Sequence, residues 1–441
     1  MKSKELLMII IIIVTPISFS QSVIINQSSN QQEVKNIILL IGDGMGFSHL
    51  ELGSLVEYGN NNSLFLQSNL LFQQKMSTNE IYGDITDSAS SATAMATGYN
   101  TRMGKIGVLL NDTPVQTILE KAELMGKKTG IVTTTDFTHA TPAAFAAHTS
   151  NREHKESIYQ QMINQGIEII LAGGQRWISD VNTLINLNYS HITTIDELDT
   201  NTDKIFGTFN WNHLEYESDL QYSQDARLTE LTVKALNHLS NQENGFFLMI
   251  EGGRIDHAGH EGNLTRNALE VIEIDRTAKI IHDWMLSNPN TLFLVVADHE
   301  TGGLTIGNNH ILDDNLPSNF INLEDMRDRR IDRVAQIDAT YSSSSHFPWL
   351  VPLIGIGEVA NSLMSMTCSY SNTNVFDIMN RALTGNIIND CPPPAEILPK
   401  PTYQPYSPTD DNKLSLFSPL FLFAILVLSS RLKKRFNLSQ L

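Results

Sequence analysis

The stretch Val34-Lys35-Asn36-Ile37-Ile38-Leu39-Leu40-Ile41-Gly42-Asp43-Gly44 decides how the chain is read. Residues 34–41 form a mostly apolar run, which reads as a buried β-strand. A carboxylate set between two glycines follows at once. In open α/β sheets ligands gather outside the carboxyl ends of the strands, so Asp43 is placed where chemistry is expected.

Working outward, similar apolar or β-branched runs recur at residues 131–135, 167–172, 246–250, 292–297 and 350–356. Helical patterns lie between several of them, at 115–125 and 264–285. Alternation of this kind predicts an α/β fold, a largely parallel central sheet covered by helices on both faces. Glu251 follows the run at 246–250, and Asp298-His299 follows that at 292–297. Separated segments therefore point at one site. Residues 308–345 are polar and poorly periodic and read as a loop-rich insertion.

The ends of the chain differ in composition. Residues 1–20 carry Lys2 and Lys4, an apolar run at 6–14 and small residues near Ser18 and Ser20, the layout of a signal peptide. Export to a periplasmic or extracellular space is expected. Residues 21–33 read as a flexible lead-in, 34–390 as the catalytic domain and 391–413 as a proline-rich linker. In the tail, 414–441, an almost wholly apolar run at 414–428 precedes Arg431-Leu432-Lys433-Lys434-Arg435. This resembles a membrane stop with a basic flank, although the run falls short of the ~20 residues of a full span and holds Pro419. A hydrophobic anchor and a processed sorting tail are both consistent with it. Cys368 and Cys391 could bridge in an oxidising compartment or stand as free thiols.

Of 441 residues, 41% are hydrophobic and 18% charged, ordinary for a globular protein, and the formal net charge is −18. No basic cluster suited to general nucleic-acid binding interrupts that acidity.

Two segments carry the chemistry. Asp87-Ser88-Ala89-Ser90-Ser91-Ala92-Thr93-Ala94 opens a helix that ends at Gly98, and a serine at a helix N-terminus meets the positive dipole end and free N–H groups. An ordinary capping serine would look the same. Glu251 to His260 packs four candidate metal ligands into ten residues. Asp256 and His260, four apart, share one side of a helical turn. Mixed nitrogen and oxygen donors suit zinc, whereas magnesium wants oxygens, which Asp43, Glu251 and Thr141 offer. Of the histidines, His49, His148, His191, His213 and His310 read as structural or surface residues. His257 reads equally as a spacer or as a neighbour of the ligands.

These pieces, with His139-Ala140-Thr141-Pro142, Asn151-Arg152 and His346, resemble the alkaline phosphatase family in order and spacing. The resemblance implies hydrolysis of phosphate monoesters through a phosphoserine on Ser88, with two Zn2+ and one Mg2+ per chain. Asp256, His260 and His346 would hold one zinc. Asp43, Asp298, His299 and Ser88 would hold the other. Asp43, Thr141 and Glu251 would hold magnesium, with His139 near that ion through water, and Arg152 would clamp the phosphate in bidentate fashion. The surroundings of His346, Phe347-Pro348-Trp349, depart from the family's pattern. The short span before it implies a reduced crown-like insertion and leaves open whether the chain forms a homodimer. Small phosphate esters are the expected partners, with membrane contact through the C-terminal segment. A phosphodiesterase or sulfatase of the same superfamily is the alternative. Those enzymes typically carry a threonine or modified cysteine in place of Ser88.

Overall fold

Strand β1 (Asn36–Gly42) is buried along its whole length, as a run with no polar face must be. In this computed structural model the described residues are 34–68, 72–198, 202–220, 225–308, 323–386 and 390–400. The strands that follow are β2 (Phe72–Ser77), β3 (Lys128–Asp136), β4 (Ile169–Gly173), β5 (Tyr189–Ile192), β6 (Lys204–Thr208), β7 (Phe246–Gly252) and β8 (Thr291–Val296). Four short ones come next, β9 (Glu300–Thr301), β10 (Leu304–Ile306), β11 (Ala339–Tyr341) and β12 (His346–Phe347), then β13 (Val351–Ile356) and β14 (Tyr370–Ser371).

Ten of them form one sheet in the order β14-β2-β13-β8-β1-β7-β3-β4-β6-β5. Its pairings are parallel except those of β13, which runs antiparallel to both β8 and β2. Two helical layers cover it. The helices Phe47–Tyr58, Leu228–Leu239 and Leu264–Met285 pack on one another, as do Ser88–Thr97, Ile118–Leu124, Ala140–Ala146 and Asn372–Thr384. Strand β1 touches both Leu264–Met285 and Asn372–Thr384, so it lies between the layers. The expected α/β architecture is present, with helices Ile118–Leu124 and Leu264–Met285 where the periodicity put them.

The insertion is less loop-like than its composition suggests. It contains the twelve-residue helix Leu323–Val334. That helix is held by docking rather than by an apolar stripe. Arg330 pairs with both carboxylate oxygens of Glu57, Arg333 donates to the Val56 carbonyl at 2.8 Å, and Val334 joins a small cluster with Leu52, Leu55, Val56 and Ile337. Contacts made at a distance decide such a helix, and local periodicity cannot report them. His310 lies outside the described residues.

A disulfide joins Cys368 to Cys391. Beyond it the described chain lies along the body, with Asn374 donating to the Pro393 carbonyl and the Leu398 amide to the Ile81 carbonyl. One compact unit ends at Leu398. Residues 1–33 and 401–441, where the signal peptide, lead-in and tail were read, are outside the described residues. Among the described residues no helix is long and apolar enough to cross a membrane.

Candidate active site

The parallel sheet delivers its carboxyl ends to one edge. Strand β1 hands over Asp43, β3 leads to His139, β7 ends with Glu251 and Gly252, and β8 leads to Asp298 and His299. Because β13 runs the other way, the chain entering it arrives at that same edge, carrying His346. Topology thus explains how a histidine 48 positions beyond Asp298 can join the set.

The turn after β1 fixes Asp43. Gly44 has φ +74°, and a Cβ there would lie 2.7 Å from Thr301 Oγ1 and 3.0 Å from the Asp256 backbone. Only glycine fits both the left-handed conformation and the space. Its amide donates to Asp298 Oδ1 at 3.0 Å, and the His299 amide donates to the same oxygen.

Ser88 is the first residue of the helix Ser88–Thr97, whose cap is Asp87, with Oδ1 accepting from the Ser90 amide at 3.0 Å. Every residue of that helix is buried, so its small side chains let it pack close to neighbouring helices. Ser88 Oγ lies 3.3 Å from His299 Nε2. The same imidazole nitrogen is 3.4 Å from Asp43 Oδ1 and 3.3 Å from Asp298 Oδ2. Nucleophile, imidazole and two carboxylates therefore share one small volume.

Beside it, Asp256 Oδ1 faces His260 Nε2 at 3.3 Å and His346 Nε2 at 3.5 Å. The two Nε2 atoms are only 3.1 Å apart. His260 Nδ1 faces the Ser344 carbonyl and His346 Nδ1 the Thr86 carbonyl. A carbonyl can only accept, so each ring keeps its proton on Nδ1 and turns an Nε2 lone pair to the other. Two lone pairs and a carboxylate converging on one point require a cation there. A proton serves in the free chain, and hydrogen bonding to Asp256 accordingly raises His260 to about 9.

The third group gathers Asp43, His139 and Glu251. Threonines 133 and 135 both donate to Glu251 Oε2, leaving Oε1 without a partner. Thr141 Oγ1 is 3.4 Å from Asp43 Oδ2. Buried and unpartnered atoms accumulate here: Asp43 Oδ1, Asp298 Oδ2, Glu251 Oε1 and His139 Nδ1. Buried polar atoms are normally satisfied, so these mark where something else belongs. Burial, then the charges of Asp298, Asp256 and Glu251, push the Asp43 carboxyl well above the usual range. Burial likewise raises Asp298 to about 7 and drives His299 well below its ordinary value. The donor set, oxygens with imidazole nitrogens, fits divalent cations.

Arg152 stands at the rim, with Nη1 3.1 Å from Asp87 Oδ2 and Nη2 3.3 Å from His139 Nε2. Every residue singled out for the site in the sequence is thus brought to this one edge. Several neighbours gave no local signal. Thr301 donates to Asp256, and Asp87 pairs with Arg152. His257, which the sequence left open between spacer and neighbour of the ligands, is edge-on to His139 with centroids 5.5 Å apart, and His213 lies 4.6 Å from His257. His213, read as structural or surface, borders the site, and only the fold could place it there.

A family profile described as alkaline phosphatase matches residues 34–347. Alkaline phosphatase 4 of Bacillus subtilis is 33% identical over 300 residues, which is 64% of this chain and 65% of that relative. The human tissue-nonspecific alkaline phosphatase is 28% identical over 354 residues, 65% of this chain and 67% of its own. The match thus spans just under two thirds of the Bacillus relative's length. Among solved structures, the alkaline phosphatase of the Antarctic bacterium TAB5 superposes with a TM-score of 0.67 at 27% identity, over 80% of this chain and 98% of that one. A histidine-to-glutamate mutant of it, with Mg bound in its M3 site, gives 0.68 at the same identity and coverage.

Proposed function

The chain belongs to the alkaline phosphatase family, and we propose that it hydrolyses phosphate monoesters through a phosphoserine on Ser88, releasing inorganic phosphate and an alcohol. The observation that carries this reading is Ser88 Oγ, 3.3 Å from His299 Nε2 at a helix N-terminus, beside buried carboxylate oxygens that lack partners.

Two zinc ions and one magnesium ion complete the site in this reading. Asp256, His260 and His346 hold one zinc, and Asp43, Asp298, His299 and Ser88 hold the other. Asp43, Thr141 and Glu251 hold magnesium, with His139 beside it. Bound there, the ions supply positive charge to the attacking and leaving oxygens of an in-line displacement. Ser88 Oγ forms the bond to phosphorus as the ester oxygen departs with its electron pair. Water then breaks the phosphoserine bond and restores the hydroxyl. Free N–H groups at the start of the helix Ser88–Thr97 favour the developing negative charge. Arg152, oriented by Asp87, holds two phosphate oxygens. The ligand carboxylates, costly to bury alone, are the counter-charge for three divalent ions.

Ser88→Ala is expected to abolish acid-stable phosphoenzyme and lower kcat on the order of 10⁴-fold or more, while metal content stays near normal. Covalent phosphate persisting in that variant would rule Ser88 out. Parallel rates on a monoester, a diester and a sulfate ester separate this reading from its superfamily rivals, and the monoester should be fastest. Export rests on the layout of residues 1–20, and membrane attachment on the apolar run at 414–428 with its basic flank.

A further inference from the structure

Thr301 sits where four segments meet, and its hydroxyl touches a member of each zinc set. The residue is completely buried. Its amide donates to the Gly44 carbonyl at 3.1 Å, in the turn after β1, and within β9 it pairs with His346 of β12. Its methyl lies against Gly259 of the helix Arg254–Glu261, where a Cβ on that glycine would come within 3.0 Å of it. Threonine is branched at Cβ, so seating the methyl there aims the hydroxyl.

That hydroxyl lies between Asp256 and His299. Its Oγ1 donates to Asp256 Oδ1 and is 3.2 Å from His299 Nδ1. A hydroxyl has one proton and two lone pairs. The contact with Asp256 joins two oxygens, and a carboxylate only accepts, so the proton belongs there. What Oγ1 turns to His299 is therefore a lone pair, which Nδ1 can meet only as an N–H donor. The bare nitrogen of this imidazole is then Nε2, the atom 3.3 Å from both Ser88 Oγ and Asp298 Oδ2. His260 and His346 reach the same tautomer through the carbonyls of Ser344 and Thr86. For His299 the acceptor is Thr301.

We infer that Thr301 is a positioning residue that ties the two zinc sets together, orienting Asp256 of one and fixing His299 of the other with Nε2 free for metal. This rests on the zinc reading of the site and names a residue on which both sets depend. Both links run through the hydroxyl, whereas the methyl serves packing alone. Groups that hold metal ligands in orientation contribute to metal affinity, so the effect is readable without any substrate.

The test titrates the metal-free full chain with zinc alone against a competing chelator, and measures monoester hydrolysis separately. Thr301→Val keeps the shape and removes the hydroxyl, so it should weaken both zinc equivalents about tenfold or more, while Thr301→Ser stays within about threefold. Should the valine variant not fold, Thr301→Ala takes its place against Thr301→Ser with the same expectation. Unchanged zinc affinity without the hydroxyl, weakening of one equivalent alone, or equal loss in the serine variant overturns the link. An unmodified chain that binds two zinc ions and leaves a monoester intact overturns the monoesterase reading and spares the link. One that binds no zinc overturns the link and the metal centre with it.

Discussion

Two clusters of buried acid lie in this molecule, and they are built to opposite plans. Under the long helix Leu264–Met285, Glu270 accepts from the Glu217 amide at 2.8 Å and Glu273 from the Thr229 amide at 2.9 Å. Arg227 pairs with Glu217 at 3.0 Å, Arg276 faces Glu273, and Asp275 takes the amides of Phe65 and Leu66. No carboxylate oxygen of that cluster is among the buried atoms lacking a partner. At the sheet edge, by contrast, Asp43, Glu251 and Asp298 each keep one such oxygen. Burial raises both Glu270 and Asp298 to about 7, so the titration shift alone does not distinguish them. What separates a structural acid cluster from a metal centre is whether the chain supplies its own cations and donors.

Chelation is the strongest way to break this contrast. Removing divalent ions should abolish activity and lower the Tm. Ions present at about a thousandfold their Kd would contribute roughly 4 kcal/mol per site. The effect has a pH signature. Asp298 in the metal-free chain contributes stability below its unfolded value near 3.8, and that contribution is lost as pH rises through about 7. Metal must also displace protons from Asp298 and from His260, which is held at about 9. The Tm difference between loaded and chelated protein should therefore be small at pH 5 and grow towards pH 9. A difference independent of pH would mean the ions bind elsewhere.

Arg152→Ala comes next in size. If Arg152 clamps phosphate as proposed, its loss should lower kcat/KM on the order of 10²–10³-fold, with metal content unchanged. The smallest effect on activity sharpens the comparison from the other side. Arg227→Ala leaves Glu217 without its partner and should cost about 3 kcal/mol in denaturant unfolding. Metal stoichiometry should stay as it was. If added zinc restored that lost stability, the second cluster would be a cation site after all.

Legibility followed the range of the interactions. Strand β1 and the helix Leu264–Met285 could be read because their apolar patterns run unbroken. Strand β2, Phe-Gln-Gln-Lys-Met-Ser, could not, since most of its side chains remain partly or fully exposed. It is a strand because β13 and β14 bond to its two edges. The helix Leu323–Val334 escaped for the same reason, its anchors being Glu57 and the Val56 carbonyl. Among site residues, Asp256 and His260 were legible as a helical pair. Thr301, His213 and the partnership of Asp87 with Arg152 depend on chains meeting across the sheet edge.

By itself the sequence determined the residue types, the alternation of strand and helix, and the placing of carboxylates after buried runs. Those are local properties, fixed by side-chain chemistry within a few residues. The tertiary structure decided which carboxylate oxygens stayed without partners, that His346 enters the site on the segment leading into the antiparallel β13, and that Cys368 meets Cys391. Each of these depends on where a distant segment comes to rest, which the burial of the whole sheet between two helical layers sets.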